Sequence, residues 1–164
     1  MQSLIRIGPR TAAVLVPGLL GLLAARPAGG ARPAGAPPSA RRAAGFAVVV
    51  HAANPAAALP REQVARLFMR KLRRWPGGGP AEPVDLAPGA PARDAFTRAV
   101  LGKSVGTVRA YWQQRIFSGA EVPPPEKPDD DAVLAYVRAH PAAVAYVSDA
   151  AALPAGVREL AVTE

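Results

Sequence analysis

Between residues 46 and 162 the apolar positions fall into two rhythms. Residues 46–50 (Phe-Ala-Val-Val-Val) form an unbroken apolar, β-branched run, the pattern of a strand covered on both faces. Pro60-Arg61-Glu62 opens a helix, with proline suited to a first turn and glutamate near the positive pole. Val64, Leu67 and Phe68 then give it one buried face. Trp75 and the Pro-Gly-Gly-Gly-Pro that follows end this element in a turn. Residues 83–87 predict a short strand and 91–101 a second helix, with Ala95, Phe96, Ala99 and Val100 as its core stripe. Ser104 fits the N-cap of a third helix whose Val105, Val108, Trp112 and Ile116 recur at helical spacing before Ser118-Gly119 stops it. Asp129, Asp130 and Asp131 start a fourth, carrying Val133, Leu134, Tyr136 and Val137, and His140-Pro141 ends it. Residues 143–147 and 157–162 predict two last strands. Strands alternating with helices give an α/β domain with a mostly parallel sheet covered by helices on both faces.

The start of the chain is different. Arg6 and Arg10 precede an uncharged run of Leu, Val and Ala over residues 11–25, followed by small residues. That is the layout of a secretory signal. The run is shorter than the roughly 20 residues that span a bilayer, and Pro17-Gly18 interrupts it, so an uncleaved anchor fits less well. We expect a signal peptide over 1–30 with a cut between Ala24 and Ala40. An Ala/Pro/Gly/Arg linker over 31–45 lacks the large apolar side chains that a core needs. One domain follows over 46–164, periplasmic or secreted.

The net charge of +8 changes meaning once it is divided along the chain. Six of the 20 basic residues and none of the 12 acidic ones precede Phe46, leaving 14 basic against 12 acidic in the domain. The total therefore does not argue for nucleic acid. Absence of cysteine excludes disulfides, thiolate metal sites and cysteine nucleophiles. His51 and His140 are not at metal-ligand spacing, and Asp129 to Asp131 lack the alternating ligands of a calcium loop, so neither a metal nor a cofactor is expected. Ser104 and Ser118 have no nucleophile motif around them, and no acid, base and nucleophile set marks an enzyme. Arg66, Arg70, Lys71, Arg73 and Arg74 crowd around Trp75. They read first as a solvated helix end near the negative pole and second as a patch for an acidic partner, nucleic acid or lipid head groups, of which export disfavours nucleic acid.

In order along the chain stand Asn54-Pro55, Leu59-x-x-Glu62-x-x-x-x-x-Phe68, Trp75-x-x-Gly78, Arg93-x-x-Phe96, Tyr111-Trp112, Phe117-Ser118-Gly119, Pro123-Pro124, Val133-x-x-Tyr136-Val137 and Tyr146-Val147. This series resembles that of the phosphate ABC importer substrate-binding proteins and their short exported relatives. The resemblance implies a periplasmic-binding-protein-like (type 2) lobe, an oxyanion ligand, and no catalysis. Arg70 stands where a glycine is usual in that family, as does Ala145.

In the larger relatives a Ser-Gly-Thr-Arg loop at a helix N-terminus supplies hydroxyls, amides and a guanidinium to the ion. The equivalent stretch here is Ala90-Pro91-Ala92-Arg93. It lacks both hydroxyls, and Pro91 has no N–H. Each lost hydrogen bond to a charged ligand costs about 1.5–3 kcal/mol. The resemblance thus leaves Ala90, Ala92 and Arg93 as a weak seat for phosphate or a similar oxyanion. The alternative is a ligand-free lobe that serves as a protein interaction module at the cell envelope, touching a membrane transporter or other envelope protein through Arg70, Arg73, Arg74 and Trp75.

Overall fold

The computed structural model describes residues 45–164. The expected signal peptide and nearly all of the linker lie outside the described residues.

Strand β1 (Ala47–His51) is the apolar run that the sequence predicts, and its first four residues are buried. It pairs antiparallel with β6 (Ala143–Val147) on one side and with β7 (Val157–Glu159) on the other. β3 (Glu82–Pro83) adds to β6 in parallel, so the central sheet runs β3-β6-β1-β7. The sheet is therefore mixed, with its parallel pairings at β3 and in two small outlying pairs. These are β2 (Ala58–Pro60) with β8 (Ala161–Thr163), and β4 (Asp85–Leu86) with β5 (Glu126–Lys127).

Two predicted strands are each divided. The 83–87 segment parts at Val84, because Val84 N–H donates to Val144 O in the main sheet while Asp85 and Ala87 bond to Pro125 and Lys127. Leu160 divides the last strand by donating to Val48 O. β2 and β5, which are too short to carry a period of their own, were not expected.

The four helices match the periodic segments. α1 (Arg61–Phe68) begins after Pro60 and buries Val64, Leu67 and Phe68. α2 (Pro91–Leu101) carries proline in its first turn and ends on Gly102, whose φ is 63°. α3 (Val105–Phe117) is capped by the Ser104 hydroxyl accepting from Thr107 N–H, and α4 (Asp130–Ala139) by Asp129 accepting from Ala132 N–H.

All five residues of β6 are buried. Since successive side chains alternate faces, the sheet is covered on both sides. On one face Tyr146 stacks on Phe96 at 4.0 Å between ring centroids, with Phe68 against both and Phe46 edge-on to Phe96. α4 packs on β1 and β6. α3 stands outside this core, held by a satellite group of Met69, Val108 and Trp112.

The third helix departs from expectation at its end. Ile116 is 51% exposed and Phe117 90% exposed, so the apolar stripe buries only Val108 and Trp112.

Candidate functional site

The turn after β4 is where the sequence places an oxyanion seat, and the first turn of α2 brings the Arg93 side chain back to Leu86 on β4. The Arg93 side chain is 9% exposed, and its guanidinium is closed in by acceptors. Nη1 donates to Leu86 O and to Glu126 Oε1 at 2.7 Å, and Nη2 lies 3.1 Å from Asp85 Oδ2. Tyr146 O–H donates to the other Asp85 oxygen. One arginine thus ties α2 to both strands of the β4–β5 pair, and the pair to the core of the sheet.

Burial raises the Asp85 pKa from its ordinary 3.8 and outweighs the Arg93 charge and the Tyr146 and Leu86 hydrogen bonds that favour the carboxylate. Burial also raises the Tyr146 phenol, helped by the Asp85 charge beside it. The hydroxyl stays a donor.

The remaining parts of the expected seat face elsewhere. Ala90 O accepts from Arg93 N–H and Asp94 N–H, and Pro91 has no donor. Ala92 N–H is therefore the one first-turn amide of α2 without a partner among the described residues. Ala90 and Ala92 line a hollow of about 520 Å³ shared with Asp129, Asp130, Ser148 and Asp149. Its side-chain charge is negative, opposite to what an anion needs. Arg93 borders a different hollow of about 170 Å³, between the β4–β5 pair and α3, with Arg109, Trp112, Gln113, Ile116 and Glu126 around it. The structure therefore does not bring Ala90, Ala92 and Arg93 to one point. Arg109 and Gln113, which share a hollow with Arg93, were not foreseen. Their only sequence signal is a spacing of four on α3.

The second expected surface is also altered. Trp75 is 6% exposed and packs in the core, with Nε1 3.3 Å from Ala142 O. It is not a surface aromatic, because the Pro-Gly-Gly-Gly-Pro turn folds it inward. Arg73 and Arg74 are exposed, and Arg70 is half-buried. Arg70 takes a left-handed φ of 53°, which explains why a glycine suits that position. Arg73 and Arg115 close on Glu121 from two sides. Burial works against the charge on Glu121, but the two guanidinium groups outweigh it and hold the carboxyl below its ordinary 4.5. Among the described residues no group of His, Asp and Glu side chains could hold a metal ion.

This layout of sheet and helices matches solved structures. A protein described as a phosphate ABC transporter substrate-binding protein with bound phosphate, from Clostridium perfringens, superposes with a TM-score of 0.57 at 22% identity. The match covers 72% of this chain and 44% of that one. A protein described as phosphate-binding, from Planctomyces limnophilus, gives 0.53 at 14% identity over 73% of this chain and 42% of that one. PstS from Borrelia burgdorferi gives 0.53 at 9% identity over 73% and 47%. The described domain has the fold of the phosphate ABC importer binding proteins. It spans less than half the length of each of these binding proteins. No family model matches the sequence, and no curated protein does. Among the described residues no helix is long and apolar enough to cross a membrane.

Proposed function

We propose that this chain is a binding-protein-type lobe in which oxyanion capture at residues 90–93 has been lost, and which acts by surface contact at the cell envelope. The observation that carries this reading is the Arg93 guanidinium, which is buried against Leu86 O, Asp85 and Glu126 instead of facing the α2 N-terminus. A phosphate seated at Ala92 N–H would sit in a hollow lined by Asp129, Asp130 and Asp149, with one amide against three carboxylates. Repulsion between like charges outweighs one hydrogen bond there. The contact surface is the basic one that includes Arg70, Arg73 and Arg74. Trp75 lies beneath it in the core and not on it.

Weak anion binding in the smaller hollow is the second reading. It is favoured by Arg109, which has no carboxylate partner among the described residues and borders that cavity, where Asp85 and Glu126 already hold Arg93. Calorimetric titration with phosphate and sulfate separates the two. The first reading predicts no saturable heat at millimolar anion. Heat that is abolished in Arg109→Ala supports the second.

A further inference from the structure

The charge of the domain is unevenly placed. Residues 69–80 and 105–121 hold six of the 14 basic residues from Phe46 onward and one of the 12 acidic ones. The other segments hold eight basic residues against eleven acidic ones.

The two basic segments are joined in space. Met69 packs with Val108 and Trp112, and Glu121 bridges Arg73 to Arg115. That bridge takes up the one carboxylate of the region. Arg70, Lys71, Arg74 and Arg109 have no carboxylate partner among the described residues, and Nε of Arg70 and of Arg115 is buried without a hydrogen-bond partner.

At the end of α3 on this side, Phe117 is 90%, Val122 65% and Ile116 51% exposed. The Ser118-Gly119-Ala120 turn between them is exposed throughout, so Phe117 and Val122 form a projecting tip, with Ile116 beside them at the rim of the hollow that Arg109 also borders. Large apolar side chains this exposed mark a contact surface when they lie together.

We infer that this tip and the cations around it bind an anionic lipid surface, with Phe117, Ile116 and Val122 entering the headgroup boundary and Arg70, Lys71, Arg73, Arg74, Arg109 and Arg115 facing the anionic head groups. The inference rests on the contact-surface reading above and names its partner. Three features choose lipid over an acidic protein or a second copy. The tip projects, so a partner must be penetrable or carry a matching pit. Six cations surround it against one acid, Glu121, which Arg73 and Arg115 share, and such an excess suits a diffuse anionic surface better than discrete pairing. A symmetric second copy would set these cations against one another. An apolar anchor and a basic patch together supply the two signals that stable peripheral attachment takes.

The test is flotation of the full chain with vesicles of pure phosphatidylcholine and of equal parts phosphatidylcholine and phosphatidylglycerol. Residues 11–25 are apolar and common to every variant, so the readout is the difference between the chain and Phe117→Ser, and between the chain and Arg73→Gln with Arg74→Gln. All three positions are exposed, and melting curves confirm that the variants fold. The expected result is binding that prefers the anionic vesicles, falls about tenfold in each variant, and weakens with added salt. Equal binding to both vesicle types, or binding unchanged in both variants, overturns the inference. Anion calorimetry, which tests the earlier reading, is unaffected by either set of substitutions, so the two fail separately.

Discussion

Arg93 Nη2 and Asp85 Oδ2 lie 3.1 Å apart with 9% and 14% of their side chains exposed, and this pair fastens the second helix to a strand outside the main sheet. Through Tyr146 O–H the same carboxylate reaches the aromatic stack at the centre of the core. The residue that the sequence nominates for a ligand is thus a structural fastener. Its removal is expected to act on stability.

Arg93→Ala leaves Asp85 as a buried charge without its partner and is expected to cost about 3–5 kcal/mol. Replacing both members, Arg93→Met with Asp85→Leu, restores much of that loss, because the desolvation of both charges disappears with them. Urea denaturation of the native chain and the two variants checks this.

Asp85 and Glu121 give opposite pH dependences. The folded-state pKa of Asp85 is raised, so its stabilising contribution is present below about 3.8 and is lost as pH rises through the folded value. The folded pKa of Glu121 is lowered, so its contribution is present above about 4.5 and is lost as pH falls through the folded value. Stability curves of the native chain against Asp85→Asn and Glu121→Gln are expected to diverge in opposite senses on acidification. Parallel curves would contradict both assignments.

Arg70 occupies a left-handed conformation that costs a non-glycine residue about 1–2 kcal/mol. Arg70→Gly is expected to raise the melting temperature, with a net gain of about 1 kcal/mol after the entropy that glycine adds to the unfolded chain.

Phe96 touches Phe46, Phe68 and Tyr146. Phe96→Ala is expected to cost about 3–5 kcal/mol by leaving a cavity in the middle of that group. Ser104→Ala, which removes a cap from the outlying third helix, is expected to cost only about 1 kcal/mol. Thermal denaturation ranks the two.

The long periodic elements were legible from the residues alone. Helix 91–101, the Ser104 and Asp129 caps and strand 143–147 all stand where spacing and capping chemistry place them. Three things were not legible. Strand direction is a tertiary property, and the antiparallel pairing of the first strand with its two neighbours leaves no mark in its own five residues. The two-residue strands depend on a partner distant in sequence, as Asp85 does on Pro125. The third helix shows how period misleads, because Ile116 continues the spacing of Val108 and Trp112 after the helix has passed beyond the core.

At the site, the sequence nominates Arg93 as an oxyanion contact, whereas its guanidinium is held by Leu86 O, Asp85 and Glu126. Its partners could not be read, since Glu126 lies 33 residues away in a strand that no pattern announced.

The position of the Arg93 guanidinium separates a structural turn from an anion-binding one. Nuclear magnetic resonance of the Arg93 Nε–Hε pair during a phosphate titration reads this directly. A cross-peak that stays fixed up to millimolar phosphate is the predicted result. A shift that saturates, and that tracks Ala92 N–H in the same titration, would contradict it and return the turn to anion binding.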